Sequence, residues 1–216
     1  MPNKKITAIM PIKLNNERCP GKNTRLLGGK PLLQYELDSL LATGLCNDIN
    51  VFCSSEDVIS FLPPKVKFIQ RPQFLDLPAS NFNQIFSSFI SIKDADIYIY
   101  AHATAPFITI ETMKECINAV LSEQYDSAFC AVKLQDFLWK NGKPLNFDAT
   151  NIPRTQDLEP IYQETSGVYV FTKDVFLKYK RRIGTNPYIK EVSFKEATDI
   201  DTPEDFKIAE YLLDLK

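Results

Sequence analysis

Two groups of charged residues near opposite ends of the 216-residue chain each resemble half of a polyanion site. Close to the start, the run Pro11-Ile-Lys-Leu-Asn-Asn-Glu-Arg-Cys-Pro-Gly-Lys-Asn23 contains three cations, Lys13, Arg18 and Lys22. A triphosphate carries about four negative charges near neutrality and needs donors that stay protonated, which Lys and Arg provide. Gly21 lets a backbone approach an anion closely, and Asn15 and Asn16 tolerate left-handed conformations, so a nest of N–H groups is expected there. Near the end lies Asp199-Ile-Asp201. In an extended segment residues i and i+2 point the same way, so both carboxylates can face one cation. A hard divalent ion such as Mg2+ suits a few carboxylates completed by phosphate oxygens and water. A third polar group, Arg154-Thr-Gln-Asp157, sits in a proline-flanked loop, where it could hold a polar ligand or satisfy a subunit interface. Taken singly, the first two groups also read as a solvated turn and as acids preceding a helix at Thr202-Pro203-Glu204-Asp205. No Walker A or GxGxxG pattern is present.

The elements that must position these groups alternate. Strands are expected at residues 6–10, 49–53, 67–69, 96–101, 127–132, 166–171 and 187–194. Helices are expected at residues 31–42, 81–92, 109–123, 173–179 and 203–213, with a short one up to Leu62 capped by Ser54 or Ser55. Phe82, Phe86 and Phe89 recur at helical spacing and belong to the core. Alternating β and α elements call for a mostly parallel sheet with helices on both faces, in one domain spanning residues 1–216. Such sheets bind ligands beyond the carboxyl ends of their strands, which directs attention to residues 11–23, 101–106 and 199–201. The rhythm breaks at residues 133–165, which hold Trp139, Asn141-Gly142 and three prolines. Connections of about 4–6 residues are the norm, so this insertion has a task of its own.

Composition narrows the function classes. Lys and Arg number 25 against 27 Asp and Glu, a net charge of −2, so no broad basic field awaits nucleic acid or an anionic membrane. The single His102 cannot build a histidine-rich metal site, and five scattered cysteines read as reduced thiols. The leading residues hold only a five-residue apolar run before Pro11, too short for a signal peptide or membrane span, so a cytoplasmic protein is expected.

Together the patches resemble one family, the sugar-acid cytidylyltransferases that activate acylneuraminate and related nonulosonic acids as CMP conjugates. Residues 11–23 are similar to its P-A-R-G-G-S-K-R-x-P-x-K-N motif, followed at the family's distance by Gly29-Lys-Pro-Leu32. His102-Ala-Thr-Ala-Pro106 resembles its Q-P-T-S-P turn, and residues 153–162 its R-R-Q-D-L-P-P-x-Y segment. Residues 198–206 resemble its closing D-I-D-x-x-x-D-F. The resemblance implies a Rossmann-like three-layer α/β/α nucleotidyltransferase fold and attack of a sugar-acid hydroxyl on the α-phosphate of CTP, with pyrophosphate leaving. By position it gives Lys22, Asp199 and Asp201 the catalytic roles, the two acids holding Mg2+. Lys13, Arg18, Lys22, Asn23, Arg71 and Ser80 or Asn81 would bind the nucleotide. His102, Thr104, Arg154, Gln156, Tyr162 and Gln163 would face the sugar. It further implies a homodimer in which residues 133–165 reach the neighbouring site; Trp139, placed in that insertion, suits a dimer contact ahead of stacking on the sugar.

Departures from the family pattern matter too. Lys13 replaces an arginine, Leu14-Asn15 replaces Gly-Gly, and His102 replaces a glutamine. Gln163 stands where an arginine is usual, which removes a natural partner for a substrate carboxylate. Another acidic acceptor such as a phosphonate, a nucleotide-sugar glycosyltransferase using D-x-D, and a nucleotide-binding protein without catalysis are the competing readings.

Overall fold

The computed structural model describes residues 4–214, so the first three residues of the leading segment lie outside the description. The chain opens on β1 (Ile6–Pro11), a small hairpin of β2 (Leu26–Leu27) and β3 (Lys30–Pro31), and α1 (Leu32–Thr43). It continues through β4 (Asp48–Cys53), β5 (Lys67–Gln70), α2 (Phe82–Ile90), β6 (Ile97–Ala101), α3 (Ile110–Leu121) and β7 (Ser127–Leu134). A second hairpin follows, β8 (Trp139–Lys140) and β9 (Lys143–Pro144), joined at Asn141-Gly142. The chain then runs through β10 (Ile161–Thr172), α4 (Lys173–Tyr179), β11 (Pro187–Glu191) and α5 (Pro203–Asp214). Ser55, as expected, caps a 3₁₀ turn at Glu56–Phe61.

Seven strands form one sheet in the order β11-β7-β10-β6-β1-β4-β5. All neighbouring pairs are parallel except those of β10, which runs antiparallel to β6 and β7. Period-two alternation sends Ala8 and Met10 to the face covered by α1 and α3, and Ile9 to the face covered by α2 and α4. The second face is aromatic: Phe86 is fully buried and packs edge-on against Tyr98, Phe171 and Phe176, at 5.0, 5.1 and 4.6 Å between ring centroids. A side chain of this size buried so completely contributes roughly 2–3 kcal/mol through area alone. The expected three-layer α/β/α arrangement is therefore present.

Two expectations need correction. The irregular segment is shorter than residues 133–165, because β7 runs to Leu134 and β10 already begins at Ile161. The final strand stops at Glu191 rather than at residue 194. The early start of β10 escapes periodicity because its register shifts: Glu164 faces Ala131, yet Tyr169 faces Phe129. The extra residues form a bulge, a device that re-aims side chains beside a site. Gly167 lies in that bulge, where an added Cβ would fall 2.6 Å from Ile108 Cδ1.

Candidate active site

A cavity of about 410 Å3 opens at the carboxyl ends of β1 and β6, where an open α/β sheet keeps its ligands. Its wall combines Lys13, Asn16, Lys22 and Asn23 from the first loop with Arg71, Asp76 and Ser80. Tyr100, His102 and Thr104 from the end of β6, Ser166 from the bulge, and Asp199 and Asp201 complete it.

The acidic pair is held by backbone bonds on both sides. Ile200 is buried in a small core with Leu27, Leu32, Phe206 and Ala209. Its N–H donates to the Thr104 carbonyl at 2.9 Å, so Asp199 and Asp201 flank an anchored residue and both reach the cavity. A reciprocal cap at α5 fixes the far side: Thr202 N–H and Oγ1 each donate to Asp205 Oδ2 at 2.8 Å, and Asp205 N–H donates to Thr202 Oγ1 at 3.2 Å.

Lys22 joins the two ends of the chain. Its buried ammonium donates to the Ile200 carbonyl at 2.7 Å and to Asp201 Oδ1 at 2.8 Å. Arg18 Nη1 lies 2.9 Å from Asp201 Oδ2, from an exposed position beside a smaller adjoining cavity. Burial works to raise the Asp201 pKa, but the Lys22 hydrogen bond and the charges of Lys22 and Arg18 outweigh it and hold the carboxyl below its ordinary value. Asp76 plays a similar part on the other wall, where its carboxylate takes bonds from Arg71 and Ser54 and its carbonyl accepts from Lys13 Nζ at 3.2 Å. Asn23 Nδ2 donates to the Lys13 carbonyl at 2.9 Å, bracing the loop.

The nest expected from Asn15 and Asn16 is absent, since neither adopts a left-handed backbone. Gly21 does, at φ 67°, but an added Cβ would meet nothing within 4 Å. Its role is to close the turn ahead of Lys22, with Thr24 and Arg25 N–H groups donating to its carbonyl, rather than to clear space. Asn16 Oδ1 and Asp199 Oδ1 are buried and unpartnered on the cavity wall, each available to a ligand.

Sequence comparison places this geometry. The cytidylyltransferase family's profile matches residues 7–216. The chain belongs to that family. It is 25% identical to the CMP-N,N'-diacetyllegionaminic acid synthase of Legionella pneumophila, over 98% of this chain and 97% of that protein. Identity with the pseudaminic acid cytidylyltransferase of Campylobacter jejuni is 24%, over 94% of each. The N-acylneuraminate cytidylyltransferase of Streptococcus agalactiae is 21% identical, and this chain spans 51% of its length. The fold matches that of a CMP:2-keto-3-deoxy-manno-octonic acid synthetase structure, with a TM-score of 0.72 at 16% identity over 97% and 98% of the two chains.

In this cytidylyltransferase, Lys13, Lys22, Asn23, Arg71, Ser80, His102, Thr104, Asp199 and Asp201 meet around one cavity, and Arg18 joins them through Asp201. Of the pair Ser80 or Asn81, Ser80 lines the wall. The Asn81 side chain instead accepts from Gln84 N–H and completes a capping box at α2. Four expected sugar-facing residues are not brought to the cavity by their own chain. Arg154 and Gln156 lie exposed on a 3₁₀ turn, where Arg154 grips Asp157 at 2.7 and 2.9 Å. Tyr162 and Gln163 sit on the exposed start of β10, opposite Lys133 and Val132. Asn16, expected in a backbone nest, reaches the wall through its side chain instead, while Asp76 and Ser166 were not anticipated from the sequence. Only the bulge brings Ser166 inward, and no motif announces it.

His102 carries a pH consequence. Burial, followed by the charges of Arg182 and Lys22, pushes its pKa down to about 3, and Asp201 only partly opposes this. The imidazole is therefore neutral at physiological pH, with a shielded, unpartnered Nε2. Between an unfolded value of about 6.5 and the folded value, the unfolded chain binds a proton that the native one refuses. Stability is thus full above about pH 6.5 and falls as pH drops toward 3, by up to about 1.4 kcal/mol per unit. A His102→Gln variant is expected to flatten this acid limb in urea titrations at pH 4 to 7, and an unchanged slope would remove the assignment.

Proposed function

We propose that this cytidylyltransferase transfers CMP from CTP to a hydroxyl of an acidic sugar of the nonulosonic type. The sugar oxygen bonds to the α-phosphorus, the bond to the β-phosphate oxygen breaks, and pyrophosphate leaves. The observation carrying this reading is that Lys13 and Lys22 of the early cations line one cavity with the late acidic pair, and Arg18 is ion-paired to Asp201. There, Lys13, Lys22 and Arg71 suit the triphosphate, and their fixed positions stabilise charge that grows on the phosphate oxygens and leaving group. His102, Thr104 and Ser166 line the same cavity and offer the acceptor neutral polar partners. The named relatives act on legionaminic, pseudaminic and neuraminic acids, which supports an acceptor of that class.

A divalent ion fits the acidic pair. Among the described residues no group of three or more metal-ligating side chains exists, so the nucleotide's own oxygens would complete the shell of an Mg2+ held by Asp199 and Asp201. The unpartnered Asp199 oxygen is suited to that role. When bound, the ion would neutralise phosphate charge and acidify the attacking hydroxyl.

The insertion supports a homodimer. Phe137, Trp139 and Phe147 cluster at 4.7 and 5.6 Å, with Trp139 58% and Ile152 66% exposed, an apolar surface suited to a second copy. Pairing there would let Arg154, Gln156 and Tyr162 serve the partner's cavity. Sedimentation showing only monomer at micromolar concentration would remove this part. No helix among the described residues is long and apolar enough to cross a membrane, and five unpaired cysteines are compatible with work in the cytoplasm.

The test is pyrophosphate release with each of the four nucleoside triphosphates against N-acetylneuraminic, legionaminic and pseudaminic acids and a phosphonate, with Mg2+ or EDTA. Release is expected only with CTP, a nonulosonic acid and Mg2+ together. Turnover of the phosphonate alone, or of no acceptor, would overturn the reading.

A further inference from the structure

We propose that Arg182 is the specificity residue that receives the acceptor's carboxylate, and that Glu164 occupies its guanidinium until the acceptor arrives. The inference rests on the acidic-sugar reading above and names a contact within it.

The cavity wall holds few cations for an acceptor that is itself an anion. The cations lining the wall are Lys13, Lys22 and Arg71. Lys13 and Arg71 are tied to Asp76, and Lys22 to Asp201 and the Ile200 carbonyl, all in the region that suits the triphosphate. Tyr100, His102 and Ser166 add a neutral imidazole and hydroxyls to the wall. Arg71 and Lys22 act on Tyr100 and His102 through their charge, but both are already tied to internal acids. A carboxylate placed there without a cation would lose hydration with nothing to replace it. Gln163 cannot supply the charge, and it lies exposed on β10.

Arg182 stands behind that part of the wall. Its guanidinium carbon lies 3.6 Å from the centre of the Tyr169 ring and 5.7 Å from that of Phe82. Tyr169 is paired across the sheet with Tyr100, and its ring centre lies 5.9 Å from that of His102. The arginine is thus stacked on the ring next to the two aromatic residues of the cavity wall, an arrangement that fixes the plane of the fork. Its charge reaches the wall: it helps lower the His102 pKa and partly offsets the rise that burial imposes on Tyr100.

Its present bonds leave donors to spare. Nη2 donates to Glu164 Oε1 at 3.0 Å and to Tyr169 Oη at 2.9 Å, while Nε and Nη1 make no hydrogen bond among the described residues. A carboxylate takes two parallel N–H bonds from such a fork. Glu164 is 43% exposed and sits where the register of β10 shifts. Its Oε1 also accepts from the buried Tyr169 hydroxyl at 2.5 Å, and when Glu164 leaves toward water that hydroxyl keeps the Thr165 carbonyl at 2.9 Å. The same device recurs in this protein: Asp76 occupies Arg71 and Asp201 occupies Lys22, each an internal acid set against a cation suited to an anionic substrate.

The test is steady-state kinetics of Arg182→Gln, Arg182→Lys and Glu164→Gln, with thermal melts to confirm folding. Arg182→Gln is expected to raise KM for the acceptor by 10- to 100-fold while KM for CTP moves less than twofold. Arg182→Lys should recover part of the loss, and Glu164→Gln should lower the acceptor KM several-fold. With the methyl ester of N-acetylneuraminic acid, wild type and Arg182→Gln should perform alike. An unchanged acceptor KM, equal effects on both substrates, or a Glu164→Gln variant as impaired as Arg182→Gln would overturn the proposal. Absence of wild-type turnover with every nonulosonic acid would instead sink the acidic-sugar reading. In that case ligand-observed NMR of N-acetylneuraminate decides on Arg182, since equal or undetectable binding by wild type and Arg182→Gln counts against it.

Discussion

Lys22→Ala is expected to lower kcat/KM for CTP by about 1,000-fold, equivalent to roughly 4 kcal/mol of lost transition-state stabilisation. The size follows from burial: the ammonium is 8% exposed and held by two bonds, so its charge acts in a site with little water to screen it. Part of the effect is structural. Without Lys22 the Ile200 carbonyl loses a donor and Asp201 keeps only Arg18, which costs about 1–3 kcal/mol of stability. Melting curves with and without CTP separate the two contributions, because the ligand-induced rise in Tm should disappear while the apo protein still unfolds cooperatively. Lys22→Arg keeps the charge but cannot reproduce both bonds of a compact ammonium in the same space, and it should retain only part of the activity. Unaltered CTP affinity in the alanine variant would contradict the assignment of Lys22.

The acidic pair should behave differently. Asp201→Asn and Asp199→Asn are each expected to reduce kcat by about 100- to 1,000-fold, the range found when one group that stabilises developing charge is removed. Nucleotide binding, however, should separate them. Neutralising Asp201 leaves Lys22 in the cavity and Arg18 beside it without their internal acid, so metal-free CTP should bind as tightly as to wild type or more tightly. Neutralising Asp199 releases no cation in this way. Both variants should need more Mg2+ for half-maximal turnover, measured by pyrophosphate release across a magnesium titration. A magnesium dependence identical to wild type in both would leave the pair without a metal-binding role.

Residues that must be buried, or that must carry charge at a fixed spacing, were legible before any coordinates. Phe86 and Phe89 recur at helical spacing and enter the core, and Thr109 and Asn81 mark helix starts because their side chains cap them. The D-x-D spacing predicted a shared direction for Asp199 and Asp201, and the burial of Ile200 between them enforces it. What could not be read depends on contacts far apart in sequence. Ser166 reaches the wall only because β10 bulges. Arg182 lies in a basic run after α4 that looks like solvated surface until the fold lays it on Tyr169. Arg154 and Gln156 carry a family pattern, but nothing within one chain draws an exposed 3₁₀ turn inward. The glycine in the first loop suits a close anion approach by residue type, whereas the dihedral of the turn alone requires it.

The bond from Lys22 to the carbonyl of Ile200 spans 178 positions of sequence. On the ribosome, the first loop emerges long before the segment that completes it, so a nascent chain carries Lys22 without either of its partners until residue 201 has been made. Nucleotide capture through Lys22 is therefore expected to wait until residues 199–201 have emerged. A stalled or prematurely terminated product that ends before Asp199 is expected to be unable to consume CTP.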